Sequence, residues 1–230
     1  MKHYSIAIDG PAGAGKSTIA KMVARHLNFI YVDTGAMYRA LALYFLRNNI
    51  SVADKEAIEN ACNYADVMID YKDGEQQVIL NGENVNSLIR TEEVGNMASA
   101  SSVYPVVRLK LVELQRSMAK KADVVMDGRE IGTFVLPEAD LKIYLTASSK
   151  ERARRRFIEL KERGISADIN EIEKDIIERD MRDMNREFAP LKQADDAILV
   201  DSSHMTVDEV KNTIIKYFEE IIQNSSKELG

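Results

Sequence analysis

The sequence lacks the residues on which several classes of protein depend. Its single cysteine, Cys62, cannot form an internal disulfide, and it falls among the apolar positions of a helix-like segment, which predicts a small buried side chain. The histidines, His3, His26 and His204, are scattered without metal-ligand spacing, so we do not expect a zinc site formed by the protein. No run of about 18 apolar residues occurs, which argues against a membrane span.

The charge and the N-terminal segment exclude further classes. Asp9 interrupts the N-terminal apolar stretch after a few residues, so we do not expect a signal peptide. A formal net charge of −6 argues against broad attraction to nucleic acid or to anionic membranes. With 45% hydrophobic and 30% charged residues in a chain of 230, the composition predicts a globular protein with a substantial core. We expect a cytoplasmic monomer without nucleic-acid or membrane partners.

A glycine-rich segment near the N-terminus fits the pattern G-x-x-x-x-G-K-[ST]. Its residues are Gly10, Pro11, Ala12, Gly13, Ala14, Gly15, Lys16, Ser17 and Thr18. A β-rich run at residues 4–8 precedes it, and apolar residues recur at helical spacing after it, at Ile19, Met22, Val23 and Leu27. This context favours a phosphate-binding loop over a glycine-rich turn that merely caps a helix.

The residue types of this segment suit a nucleoside triphosphate. Glycines adopt positive φ and let backbone N–H groups and the positive end of the following helix approach phosphate oxygens. Lys16 would place an ammonium on the β and γ phosphates, and the Ser17 hydroxyl would be the protein ligand of a magnesium ion that keeps several waters. We therefore predict that the chain binds ATP or a similar nucleotide with Mg²⁺.

Short apolar runs alternate with helical patterns along the rest of the chain. Residues 29–32 predict a buried strand, and residues 37–45 follow as a helix. Later apolar runs at residues 123–127, 141–145 and 197–201 are separated from one another by helical patterns. The alternation predicts an α/β protein with a parallel sheet and helices on both faces.

Two helix starts fit the capping-box pattern, in which the cap side chain and a Glu three residues later satisfy each other's backbone N–H groups. They are Ser148-x-x-Glu151 and Thr206-x-x-Glu209. The helix after Thr206 is predicted to run through Ile221 before the polar tail frays.

One segment interrupts the alternation with two hairpin signals. Strand-like runs at residues 67–71 and 77–80 flank Asp73-Gly74, and Asn81-Gly82 follows immediately. These signals predict a small antiparallel insertion that could project over the carboxyl edge of the sheet, where open α/β sheets bind ligands. The predicted domains are a core of residues 1–62 and 105–230 and an insertion of residues 63–104.

Arginines are concentrated on two predicted helices. The first helix carries a cluster of arginines at Arg152, Arg154, Arg155 and Arg156. The second has charged residues on one face, at Arg179, Arg182, Asp183 and Arg186. Its opposite face is apolar and is predicted to pack on the core, with Ile177, Met181, Met184 and Phe188. Both could be solvated faces with ion pairs such as Glu151–Arg155, Glu159–Arg163 and Glu178–Arg182.

A phosphate site gives these arginines a second interpretation. A positioned arginine is worth on the order of 10³–10⁵ in the rate of phosphoryl transfer, so free guanidiniums beside a triphosphate site would indicate transfer. On that hypothesis, Arg186→Ala should lower turnover far more than it lowers stability. Asp127-Gly128-Arg129-Glu130 adds charged side chains at the end of a predicted strand, where Asp127 could orient magnesium waters or a substrate hydroxyl. An ordinary strand-to-loop turn is the alternative.

These motifs, taken in order, resemble the bacterial cytidylate kinases of the nucleoside monophosphate kinase family. The resemblance covers nearly the whole chain. It rests on Ile8-Asp9-Gly10-Pro11 with the phosphate loop, Asp33-Thr34-Gly35-Ala36-Met37-Tyr38-Arg39, Ile89-Arg90-Thr91, Asp127-Gly128-Arg129, Asn185-Arg186 and Ala189-Pro190-Leu191. At position 130 the family more usually has Asp, whereas this chain has Glu, which is one methylene longer.

The resemblance implies a fold, a reaction and residue roles. The fold is a three-layer P-loop fold with a five-stranded parallel sheet, a nucleotide-binding antiparallel insertion and a helical lid at about residues 150–168. The reaction is ATP plus CMP or dCMP giving ADP plus the diphosphate, with magnesium. The implied catalytic residues are Lys16, Arg129, Arg152, Arg156, Arg179 and Arg186. The implied acceptor-phosphate ligands are Thr34, Arg39, Arg129 and Arg186, with Tyr38 and Asp127 also at the substrate; Arg179 and Asp183 would bind the ribose, and Ser99, Arg108 and Glu130 would read the cytosine.

Two alternatives remain open from the sequence alone. One is a P-loop kinase for another small acceptor, such as UMP, AMP or a metabolite hydroxyl. The other is a nucleotide-switched binding protein of the GTPase kind, against which the lack of an N-K-x-D guanine-reading motif argues. A carboxylate at position 130 accepts from the amino group of cytosine and repels the carbonyl of uracil, so CMP and dCMP should outperform UMP.

Overall fold

The computed structural model describes residues 3–228 and, within its last helix, the side chains up to residue 224. In chain order the elements are β1 (Ser5–Asp9), α1 (Lys16–Leu27), β2 (Ile30–Asp33), α2 (Thr34–Arg47), α3 (Lys55–Tyr64), β3 (Val67–Lys72), β4 (Glu75–Leu80), β5 (Glu83–Asn84), α4 (Glu92–Ser101), α5 (Pro105–Ala119), β6 (Val124–Gly128), a π-helical turn (Ile131–Val135), β7 (Leu141–Thr146), α6 (Ser149–Glu162), α7 (Ile169–Asn185), β8 (Ile198–Asp201) and α8 (Val207–Glu228). Among these helices, none has both the length and the apolar composition that crossing a membrane requires.

The predicted parallel sheet is confirmed. It has five strands in the order β2-β6-β1-β7-β8, so the first strand of the chain lies at its centre. The register of β1 with β6 pairs Ile8 with Asp127 and Asp9 with Gly128. The segments that follow these two strands, the phosphate loop and the Gly128–Glu130 turn, therefore leave the same edge of the sheet side by side.

The sheet core is apolar and holds the phosphate loop on a rigid base. Buried residues of β1, β7 and β8 pack together with buried residues of α1 and α8 in one apolar cluster. Its members include Ile6, Ile8, Ile143, Leu145, Val200, Ile19, Val23, Ile214 and Phe218. The Phe218 ring meets the Tyr4 and Phe29 rings edge to face at 5.7 and 5.4 Å between centroids. Close packing of this kind has low compressibility, so it gives the loop between β1 and α1 a rigid support.

The chain divides into two compact units. The first contains the residues up to Tyr31 and from Asp123 onward, and the second is Val32–Ala122. The second unit contains the antiparallel sheet β3-β4-β5, with Lys72 opposite Glu75. The predicted hairpins are confirmed, since both turns place consecutive residues at positive φ, Asp73 and Gly74 in one and Asn81 and Gly82 in the other. The insertion limits of 63–104 stay a prediction.

Three local predictions have clear outcomes. Cys62 is buried, as expected. The capping box at Thr206 is complete, because Thr206 N–H donates to Glu209 and Glu209 N–H donates to the Thr206 hydroxyl. The one at Ser148 is only half formed: Ser148 Oγ accepts from Glu151 N–H, but the Glu151 carboxylate turns instead to arginines on its own helix.

The predicted end of the last helix was also wrong. The helix α8 does not stop near Ile221 but continues to Glu228. Its polar C-terminal residues, Gln223 to Glu228, lack an apolar stripe, which is why the sequence suggested fraying, yet none of them is a Gly or Pro that would end a helix.

Candidate active site

The phosphate loop has the backbone that its glycines predict. Gly13 and Gly15 have φ of +75° and +85°, in the left-handed region that favours glycine. Gly15 is the N-cap of α1, and no side chain caps that helix end. The N–H groups of the first turn are therefore directed at the loop together with the positive end of the helix, which forms an anion site.

Lys16 lies inside this loop. Its side chain is buried, and Nζ donates to the Pro11 carbonyl at 2.7 Å. Burial, reinforced by the Arg129 guanidinium, lowers the pKa of Lys16 well below its ordinary value, although Asp127 and Asp9 oppose the change. An anion beside Nζ would stabilise the ammonium form, so the site is electrostatically suited to a polyphosphate.

Asp127, at the end of β6, connects the loop to the sheet edge. Its two carboxylate oxygens accept from the Ser17 hydroxyl at 2.8 Å and from the Tyr31 hydroxyl at 2.9 Å. The structure thus places Ser17 and Asp127 in direct contact, and their roles at a magnesium ion stay a prediction. Tyr31 was not predicted; the only signal for it is a polar tip on an otherwise apolar strand.

A buried network of charges follows β6. Asp183 of α7 accepts from Arg129 Nε at 2.9 Å and from Arg186 Nη1 at 3.4 Å, and Glu130 accepts from Arg186 Nη2 at 3.0 Å. Burial opposes ionisation of Asp183, but the Arg129 and Arg186 guanidiniums outweigh it and lower the pKa of this carboxyl. Four predicted site residues therefore form one hydrogen-bonded group.

The predicted orientation of α7 was wrong. Ile177, Met181 and Met184 were expected to pack on the core, but they are exposed, Met181 by 58% of its surface. Asp183 and Arg186, which were expected to point away from the core, are buried, whereas Arg182 is exposed. Periodicity identifies the two faces of a helix but assigns the apolar one to the interior by default, and here ion pairs reverse that assignment.

The helix is also shorter than the predicted helical face, which extended to Phe188. The helix ends at Asn185, so Arg186 is its C-cap and Phe188 lies beyond it. Arg186 Nε donates to the Ala189 carbonyl at 2.7 Å, and Phe188 packs edge to face on Phe134 at 5.0 Å between centroids.

The arginines of α6 differ in their surroundings. Arg152 is buried, donates to the Ala12 carbonyl of the phosphate loop at 2.8 Å and pairs with Asp180 at 2.7 Å. Arg156 is more exposed and pairs with Glu159 at 2.7 Å. The pairs Glu151–Arg155 and Glu159–Arg163 form as predicted. The contribution of Arg156 to catalysis stays a prediction.

The sequence analysis did not identify two carboxylates of the first unit, which contains the phosphate loop. One is Asp180, the partner of Arg152. The other is Asp9, which accepts the backbone N–H groups of Ile131 and Gly132 at 2.8 and 2.7 Å and so fixes the turn directly after Glu130. Burial raises the pKa of Asp9 to about 7 despite these hydrogen bonds. Its signal in the sequence was a charged residue at the end of an apolar strand.

The second unit contains the predicted residues Thr34, Tyr38, Arg39, Ser99 and Arg108, whereas Arg179 lies on α7 in the first unit. Arg108 is buried, lies over the Tyr38 ring at 5.4 Å from its centroid and donates from Nε to the Ser102 carbonyl at 2.6 Å. The Ser102 hydroxyl in turn donates to the Ser99 carbonyl at 2.9 Å. Thr34, buried, and Arg39 lie on α2. Tyr38, Ser99 and Arg108 are therefore connected within this unit through a short chain of contacts.

Comparisons with known proteins give one consistent family. The family model described as cytidylate kinase matches residues 6–220. The cytidylate kinase of Caldicellulosiruptor bescii is 50% identical over 224 residues, which are 97% of this chain and 99% of that protein. The cytidylate kinase of Lactobacillus johnsonii is 50% identical over 222 residues, 96% of this chain and 95% of that protein.

Solved structures at low identity support the fold alone. An uncharacterized protein from Eubacterium ventriosum has a TM-score of 0.52 at 16% identity, covering 95% of this chain and 99% of its own. A gluconokinase from Sinorhizobium meliloti has a TM-score of 0.50 at 12% identity, covering 99% of this chain and 98% of its own.

Proposed function

This chain belongs to the cytidylate kinase family, and we propose that it transfers the terminal phosphoryl group of ATP to CMP and dCMP with magnesium on the donor. The observation that supports this most directly is the place of the phosphate loop. It leaves β1 beside the turn after β6, whose Arg129 and Glu130 belong to a buried charge network. The matches give no support to another acceptor or to a nucleotide switch. That the protein acts as a cytoplasmic monomer remains a prediction.

The residues present fit a magnesium ion. A serine hydroxyl and a carboxylate lie 2.8 Å apart at Ser17 and Asp127, and both are the hard oxygen donors that Mg²⁺ prefers when phosphates and water complete its ligands. When bound, the ion would neutralise charge on the donor phosphates. We propose Ser17 as its protein ligand and Asp127, held by Tyr31, as the group that orients its waters.

The protein's own contribution is positioning and charge. The loop N–H groups and Lys16 would hold the donor phosphates. Arg129 and Arg186 would bind the acceptor phosphate with Thr34 and Arg39, and Arg152 with Arg156 would stabilise the group in transfer. Because Asp183 and Glu130 already fix the two central guanidiniums, little reorganisation is needed when substrate arrives.

Separate residues are proposed to bind the sugar and the base of the acceptor. We propose Arg179 and Asp183 for the ribose, and Ser99, Arg108 and Glu130 for the cytosine, with Tyr38 supporting Arg108. A carboxylate accepts from the exocyclic amine of cytosine, whereas the uracil carbonyl at that position would be repelled. Base selection should therefore depend on the charge of Glu130.

Acceptor specificity tests the proposal. Release of ADP is measured by a coupled assay with CMP, dCMP, UMP and AMP as acceptors. CMP and dCMP should be phosphorylated far faster than UMP, and equal rates for CMP and UMP would overturn the assignment.

A variant at the base-reading carboxylate sharpens the test. Glu130→Gln provides an amide that both donates and accepts, so the ratio of kcat/KM for CMP over UMP should fall. Glu83→Gln is the matched control, since it removes a carboxylate from an exposed pair with Arg47 and should leave the ratio unchanged.

A further inference from the structure

Asp180 is a buried carboxylate of α7 that contacts the phosphate loop. Its Oδ1 accepts from the backbone N–H of Ala12 at 3.2 Å, and its Oδ2 lies 2.7 Å from Arg152 Nη1. The same Nη1 donates to the Ala12 carbonyl at 2.8 Å. The ion pair between Arg152 of α6 and Asp180 of α7 thus holds Ala12 of the phosphate loop, because Asp180 accepts from its N–H and Arg152 donates to its C=O.

The position of Arg152 is over-determined by these contacts. Its Nε donates to the Ala147 carbonyl at 2.9 Å, so protein acceptors orient both Nε and Nη1. Its Cβ lies 3.5 Å from the place that a side chain on Gly13 would take, which means that the arginine stem packs directly on the loop. The side chains of Arg152 and Asp180 are 7% and 10% exposed, so the guanidinium depends on this carboxylate for its counter-charge.

We propose that Asp180 is a positioning residue for phosphoryl transfer, which acts by fixing Arg152 against the phosphate loop. The inference rests on the proposed function, in which Arg152 stabilises the group in transfer. Because Nε and Nη1 already have protein acceptors, the proposal assigns the contact with a phosphate oxygen to Nη2. Displacement of a catalytic group by about 1 Å can cost on the order of 100-fold in rate, so the loss of this support should be visible in kcat.

The first variant is Asp180→Asn, with Glu173→Gln as its matched control. The asparagine keeps an oxygen that can accept from Ala12 N–H but removes the charge that pairs with Arg152. Glu173 also joins α7 to α6, through the Ser149 hydroxyl at 2.6 Å, without contacting Arg152 or the loop. We expect Asp180→Asn to lower kcat by about 10- to 100-fold with KM for CMP within about twofold, and Glu173→Gln to change both by less than about twofold.

A cycle with Arg152→Met distinguishes positioning from a purely structural role. If Asp180 acts through Arg152, the double variant should be no slower than Arg152→Met alone, within about twofold. A kcat loss equal to the product of the two single losses would overturn the inference. The double variant also removes both buried charges, so it remains a usable comparison with Arg152→Met if Asp180→Asn fails to fold.

The outcomes separate this inference from the proposed function. Slow turnover in Arg152→Met with normal turnover in Asp180→Asn would refute the role of Asp180 alone. Normal turnover in Arg152→Met would refute the proposed catalytic role of Arg152 and, with it, the inference.

Discussion

Replacing Arg186 by methionine should damage both stability and catalysis. The Arg186 side chain is 3% exposed and donates to Glu130, Asp183 and the Ala189 carbonyl. Methionine resembles the aliphatic part of the arginine side chain, but it is shorter and has none of these donors. The sequence alone predicted an effect on turnover with little effect on stability, because it treated this arginine as part of an exposed face; the buried position changes that expectation.

The expected loss in the free energy of unfolding depends on the carboxylates that Arg186→Met leaves without a partner. Asp183 retains Arg129 at 2.9 Å, but Glu130, 5% exposed, loses the guanidinium that pairs with it at 3.0 Å. Removal of one partner of a buried pair typically costs about 3–5 kcal/mol. The double variant Arg186→Met, Glu130→Gln removes both charges, so it should recover most of that loss in the free energy of unfolding.

Turnover should not recover in the double variant. An arginine that neutralises charge in phosphoryl transfer is worth on the order of 10³-fold or more, and methionine cannot replace it. Unfolding is measured by urea denaturation and turnover by ADP release with CMP as acceptor. Arg47→Met, which breaks an exposed pair with Glu83, is the control and should change neither measurement appreciably.

Either of two results would refute this reasoning. If Arg186→Met lost less than about 1 kcal/mol, the pair with Glu130 would not be a buried ion pair in solution. If the double variant regained wild-type turnover, the arginine would act only by neutralising Glu130, and its proposed contact with the acceptor phosphate would be wrong.

Three further predictions concern the elements that support the site. Gly10→Ala would place Cβ 2.0 Å from the Leu145 carbonyl, so it should destabilise the protein by about 3 kcal/mol or more in urea, whereas Gly95→Ala, with open space around it, should not. Because burial raises the pKa of Asp9 to about 7, the folded state retains its proton where the unfolded state has lost it. The contribution of the Asp9 carboxyl to the free energy of unfolding should therefore fall by about 2 kcal/mol from pH 5 to pH 7 and level off above pH 7. Asp9→Asn should abolish this pH dependence. Tyr31→Phe removes a donor to a buried carboxylate and should cost about 1.5–3 kcal/mol in the same assay; an unchanged unfolding midpoint would contradict this.

The elements that local patterns predict were found where expected. The phosphate loop, the strand before it and the helix after it depend on glycines and on periodicity within about 20 residues, so a single segment contains the whole signal. The turns at Asp73-Gly74 and Asn81-Gly82 need positive φ at both positions, and few residue pairs supply it. Predictions of this kind do not depend on how distant segments pack.

The predictions that failed concern choices between partners. Glu151 could complete a capping box or pair with Arg154 and Arg155, and the structure takes the arginines. Helix α7 could bury Met181 and Met184 or Asp183 and Arg186, and it buries the charges because Arg129 and Glu130 are there to receive them. Each outcome is decided by a residue that is remote in sequence or by competition among neighbours.

The amino-acid sequence by itself determined the anion site, since Gly13, Gly15 and Lys16 can make that loop wherever a strand and a helix flank it, and it determined the family through several motifs in order. Only the tertiary structure decided which guanidiniums face inward and which carboxylates hold them. The physical reason is that a buried charge is stable only beside its counter-charge, and the pairs Arg186–Glu130 and Arg152–Asp180 exist only after segments 56 and 28 positions apart have folded together.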